Sequence, residues 1–147
     1  MSKNKDALKF FQAYLIEMID VGGPNLPKSI SVSLGARLGK LLRERGVTGV
    51  ENSLKKIYKT LKAKVKITVN DDNTYDISLK YSKRFCPIGG KINPERAIVI
   101  QNTICVPYTS SILNSLQPKL KFFPEFKECI LNSNEKTCHY HLKIEEK

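Results

Sequence analysis

The sequence predicts an α+β fold: one antiparallel sheet of about four strands in two hairpins, packed against three or four helices. Three observations carry this. Apolar residues recur at helical spacing through roughly the first 60 positions. The period then switches to two on either side of Asp71-Asp72-Asn73, and again on either side of Ser133-Asn134-Glu135. Between the hairpins, residues 103–116 return to a helical pattern. Helices before and between two hairpins are the signature of helices layered on a sheet. The chain has 147 residues and no repeat or linker, so residues 1–147 are read as a single domain.

The first helix is expected over residues 6–20, with Phe11, Tyr14, Leu15, Met18 and Ile19 on one stripe. Gly22-Gly23-Pro24 stops it. A second helix is expected over 28–45, with Pro27 in its first turn and Ile30, Leu34, Leu38, Leu41 and Leu42 packing inward. Gly35 and Gly39 lie one turn apart on it. Each disfavours a helix by about 1 kcal/mol against alanine, so close approach of another backbone should offset them, from this chain or from a dimer mate. A third helix, from about Val50 to Lys62, gathers Val50, Leu54, Ile57, Tyr58 and Leu61 on one face. Lys55, Lys56, Lys59 and Lys62 fall elsewhere, as a solvated face or a basic binding surface.

The first hairpin sets Val65, Ile67 and Val69 against Tyr75, Ile77, Leu79 and Tyr81. Residues 84–95 follow as an irregular stretch, and Ala97–Ile100 reads as a short strand or buried apolar segment. The helix over 103–116 takes Pro107 in its first turns and ends at Pro118. In the last hairpin Phe122, Phe126, Glu128 and Ile130 share one parity, and Cys138, Tyr140, Leu142 and Ile144 alternate with His139, His141, Lys143 and Glu145.

The formal net charge is +11, and residues 37–96 alone carry +9. A basic middle fits an anionic partner: nucleic acid, an acidic protein or an anionic membrane surface. It equally fits simple solubility. No apolar run is long enough to span a bilayer and no secretory signal is visible, so a cytoplasmic protein is expected. No Gly-rich phosphate motif, HExxH or CxxC is present, and an enzyme is not expected. Recognisable nucleic-acid-binding motifs are missing too.

Cys86, Cys105, Cys129 and Cys138 all lie in the second half. If the last hairpin turns near Ser133-Asn134, Cys129 and Cys138 face each other across strands. Cys105 would begin a helix, where the dipole favours a thiolate. Cys86 stands in the Cys86-Pro87-Ile88-Gly89-Gly90 loop. A four-thiolate structural zinc site is one reading, and buried unligated cysteines are the other. The spacings of 19, 24 and 9 residues contain no compact knuckle. A Cys129–Cys138 disulfide is possible by geometry and disfavoured by a reducing compartment. Glu125 and Glu128 are alternative ligands. So are His139 and His141, whose parity puts them on the face opposite Cys138.

Ile104-Cys105-Val106-Pro107 at a helix start, Glu125-Phe126-Lys127-Glu128-Cys129 on a strand and Cys138-His139-Tyr140-His141-Leu142 on the last strand resemble the 4-vinyl reductase, or hydrocarbon-binding, domain family. That family shares its fold with the small subunits of the TRAPP vesicle-tethering complex, whose glycine-containing helix is similar to Leu34-Gly35-Ala36-Arg37-Leu38-Gly39. The resemblance covers residues 86–145 and, more loosely, 28–45. It implies an α+β homodimer joined through helices, an internal pocket for small apolar molecules, and zinc on Cys105, Cys129 and Cys138. The family's glutamate ligand has no clean counterpart, and Cys86 stands in its place. The chain resembles the stand-alone archaeal or bacterial members, which implies no attached ATPase or DNA-binding domain. The expected function is then a cytoplasmic binding or sensor domain for an apolar or aromatic ligand, with zinc as cofactor and Phe11, Tyr14, Tyr58 and Phe85 lining the pocket. The alternative is a TRAPP-like scaffold or tethering protein that binds other proteins. A nucleic-acid-binding protein that uses the basic middle is the third reading.

Overall fold

The computed structural model describes residues 2–59, 63–70, 73–81, 94–129 and 136–147, the side chains of 2–8, 94 and 96 aside. Three helices lead: α1 (Ser2–Gly22), α2 (Asn25–Glu44) and α3 (Val50–Lys59). The hairpin β1 (Lys64–Asn70) and β2 (Thr74–Lys80) follows, then α4 (Pro94–Ile100) and α5 (Val106–Leu116), then β3 (Leu120–Glu128) and β4 (Thr137–Glu146). The four strands form one antiparallel sheet in the order β1-β2-β4-β3. This is the expected α+β architecture.

Alternation sets the two faces of the sheet. Ile77, Leu79, Cys138, Tyr140, Leu142, Ile144 and Phe122 point into the core with the helices. Lys64, Lys66, Lys80, Glu125 and Lys143 stay exposed on the other face. Pro124 is tolerated because β3 is an edge strand, bonded among the described residues to β4 alone, where a missing N–H breaks no ladder. The pairing of β3 with β4 shifts register between Phe126 and Glu128, a bulge at Lys127.

Ala97–Ile100 is helical, not a strand. Pro94 opens α4 and Glu95 lies in its first turn, which is helix-start chemistry. α4 runs into α5 through a π-helical turn, Gln101–Cys105. Pro107 lacks the N–H that would close an α-turn at that point, and the wider turn absorbs the defect. In the same stretch the Thr103 hydroxyl donates to the Val99 carbonyl at 2.6 Å.

The packing of α2 departs furthest from expectation. Its buried stripe is Pro27, Ser31, Gly35 and Gly39. Ile30, Leu34 and Leu41 are exposed, and Leu38 and Leu42 are half-buried. The small residues let α5 approach at backbone distance. A Cβ on Gly35 would sit 2.8 Å from the Tyr108 carbonyl oxygen, and one on Gly39 would sit 2.6 Å from that of Ile112. The Ser111 hydroxyl donates to the Val32 carbonyl across the same contact. The offset for both glycines is thus a helix of this chain.

Candidate functional site

A ligand pocket is expected between sheet and helices, where Tyr58 is buried. Leu54, Ile77, Ile100, Ile112, Leu113, Tyr140 and Leu142 are fully buried there. The Tyr58 and Tyr140 hydroxyls meet at 2.6 Å in this interior, and the Phe126 ring lies 4.8 Å from that of Tyr140. Tyr58 also hydrogen-bonds Thr109. Burial drives the Tyr58 phenol far above its ordinary range, and that of Tyr140 likewise. Both are therefore neutral hydrogen-bonding groups inside the fold.

Phe11 and Tyr14 do not join Tyr58. They are 46% and 59% exposed on the outer side of α1, because Gln12, Leu15 and Ile19 take the inward positions of that helix. Phe85 lies outside the described residues.

Cys129 and Cys138 are both buried. Each is one residue beyond the Glu128–His139 pair, in the direction that continues its register. Cys105 is half-buried and close enough, with Cys138, to act on the Tyr58 phenol. It is not at a free helix start. It closes the π-helical turn, and the N–H of Val106 after it is bonded to the Gln101 carbonyl, so the dipole argument for a thiolate does not hold there. Among the described residues no three Cys, His, Asp or Glu side chains converge on a point that fits a metal ion. Cys86, the fourth expected ligand, lies outside the described residues.

His139 and His141 stand on the open face of the sheet with Asp76, a carboxylate the sequence reading passed over. Asp76 faces His141 across the β2–β4 ladder. His141 Nδ1 is 3.0 Å from Asp76 Oδ1, and the Asn70 amide donates to Oδ2 at 2.7 Å. These hydrogen bonds, His141 first, hold the Asp76 carboxyl below its ordinary range. Pairing the two predicted hairpins through β2 and β4 would have been the signal for this cluster.

Two surface features remain. The first is apolar. Phe10, Phe11, Tyr14 and Val21 are exposed on α1, and Leu26, Ile30, Leu34 and Leu41 on α2. On each helix these positions lie within about 100° of arc, at 100° per residue, so each helix presents one outward stripe beside its buried one. The second is basic. Lys55, Lys56 and Lys59 on α3 join Arg45, Thr48 and Asn52 around a surface cleft of about 470 Å³. Lys62 lies outside the described residues.

No helix of the described residues is long and apolar enough to cross a membrane. Comparison with family models and with curated proteins finds no match. Solved structures similar to this one include trafficking protein particle complex subunit 3 from Naegleria fowleri, covalently bound to palmitic acid. The TM-score is 0.60 at 12% identity, over 98% of this chain and 96% of that one. The two share a fold. The TRAPP half of the sequence resemblance thus holds at the level of architecture, whereas the 4-vinyl reductase half finds no matching family model.

Proposed function

We propose that this chain is a scaffold protein of the TRAPP small-subunit type, which assembles with other proteins through the outward face of α1 and α2 in the cytoplasm. The observation that carries this reading is the pair of exposed apolar stripes on helices whose other faces are already used in the core. A monomer rarely leaves so many large apolar side chains in contact with water over neighbouring helices. Two helices of 21 and 20 residues present a footprint on the order of 600 Å². That approaches the ~800 Å² per partner of a stable interface. The shared fold with a trafficking-complex subunit supports the same reading.

The simplest occupant of the face is a second copy of the chain. Light scattering on the wild type and on Tyr14→Glu and Leu34→Glu tests this. The expected result is a wild-type dimer and monomeric variants with unchanged helical circular dichroism. A wild type that stays monomeric at its solubility limit overturns the homodimer.

A further inference from the structure

The basic cleft between α2 and α3 is separate from the apolar face. Asn52, Lys55, Lys56 and Lys59 fall at helical spacing on one side of α3. The turn after α2 brings Arg45, Gly46, Val47 and Thr48 to the same cleft. Gly46 and Gly49 both have φ of +82°, and this left-handed backbone lets so short a turn fold back beside α3. Among the described residues, four cations and the polar groups of Thr48 and Asn52 line the space, and no carboxylate does. Glu51 stands one turn before Lys55, yet among the described residues no ion pair includes Arg45, Lys55, Lys56 or Lys59. Like charges three and four residues apart repel along a helix. A cluster of one sign attracts an anion.

The shape of the cleft narrows the class of anion. Its volume falls within the range of small-molecule sites, about 300–1,000 Å³. Among the described residues Val47 is its one large apolar residue, which offers few of the anchors that an acidic peptide would need. Dense positive charge with neighbouring hydroxyl and amide groups suits phosphate oxygens. Arg45 supplies a planar fork and the lysines mobile point charges.

We propose that the Arg45–Lys55–Lys56–Lys59 cleft is a binding site for a small anion bearing two or more phosphates. This chemistry is shared by soluble oligophosphates and by phosphorylated lipid headgroups. It does not rest on the scaffold reading, since the cleft and the apolar face have no residue in common.

The test titrates the full chain with inorganic tripolyphosphate by calorimetry. In parallel, it is sedimented with phosphatidylcholine vesicles with and without phosphatidylinositol bisphosphate. Three proteins are compared: wild type, Lys55→Ala/Lys59→Ala, and Lys64→Ala/Lys66→Ala, which removes equal charge from exposed positions on β1. The expected result is saturable tripolyphosphate binding that the cleft variant weakens tenfold or more and the β1 variant changes less than threefold. Added co-sedimentation with the phosphoinositide vesicles would identify a lipid headgroup as the source. Tripolyphosphate binding without it would identify a soluble one. Equal loss in the two variants, or no binding by wild type, overturns the proposal. All four lysines are exposed, so both variants should fold.

Discussion

Tyr58 and Tyr140 share one hydrogen bond in a place without water, and that makes the two hydroxyls unequal. Tyr58 has a second partner in Thr109, whereas the Tyr140 hydroxyl meets that of Tyr58 at 2.6 Å. Tyr58→Phe leaves the Tyr140 hydroxyl buried without that bond. Tyr140→Phe leaves Tyr58 bonded to Thr109. Stranding a buried hydroxyl costs about 1–3 kcal/mol. Urea melts should therefore show Tyr58→Phe as the more destabilised single variant. The double variant should lose less than the sum of the two, since it strands neither group. The pair also predicts the alkaline limb of stability. Both phenols are raised by burial. Above about pH 10 the unfolded tyrosines lose their protons while the folded ones keep theirs. Unfolding then releases protons, and stability falls as pH rises. The fall should begin near pH 10 in the wild type and be shallower in the double variant. Little of this was legible in the sequence. Tyr58 and Tyr140 each lay on a predicted inward face, but 82 residues separate them, and no local pattern pairs a helix residue with a strand residue at such range.

At the scale of elements, α2 shows what periodicity measures and what it misses. Periodicity puts a stripe of large apolar residues on the inward face, yet Pro27, Ser31, Gly35 and Gly39 are the residues that the helix buries, the two glycines against α5. The helix axis comes so close that only small side chains fit, and the leucines one arc away are left outside. The glycines themselves were the legible sign that a backbone approaches. Which backbone it is depends on tertiary packing. Gly39→Ala should destabilise the fold by about 1–3 kcal/mol through overpacking, even though alanine is intrinsically the better helix former by about 1 kcal/mol. Its Cβ would meet the Ile112 oxygen and the Ser115 Cβ, both at 2.6 Å. Gly35→Ala should lose less, since its contacts begin at 2.8 Å. Equal or increased stability of Gly39→Ala in denaturant melts would mean that α2 and α5 are not held at this distance. The hairpins were read more directly. Strict alternation fixes both the strands and their inward faces locally, whereas residues 71–72 and 133–135 of the expected turns lie outside the described residues. α4 was missed because Ala97, Ile98, Val99 and Ile100 make too short a run to show a helical period, and β-branched residues lean toward strand.

For the whole molecule, the layered α+β architecture follows from counting faces. The sheet has one apolar face and needs one layer of helices, and its polar face needs none. The same count leaves a surplus. α1 and α2 carry apolar residues on more of their circumference than one core can cover, and the excess is Phe10, Phe11, Tyr14 and Val21 with Leu26, Ile30, Leu34 and Leu41. A sequence records that a helix is apolar on two sides. It does not record which side meets its own chain, and for that reason Phe11 and Tyr14 read equally well as pocket, core or interface. A partner that covers the surplus binds the folded chain and not the unfolded one, so it stabilises the fold by mass action. If the partner is a second copy, the melting temperature must rise with protein concentration, whereas a self-sufficient monomer melts at one temperature. Scanning calorimetry across a hundredfold dilution should show a steady rise for the wild type. Tyr14→Glu should melt at a single temperature close to the dilute wild-type limit, because a charge at this exposed position breaks the contact without entering the core. A flat wild-type profile together with a monomeric mass would overturn the homodimer and leave the face to a different protein.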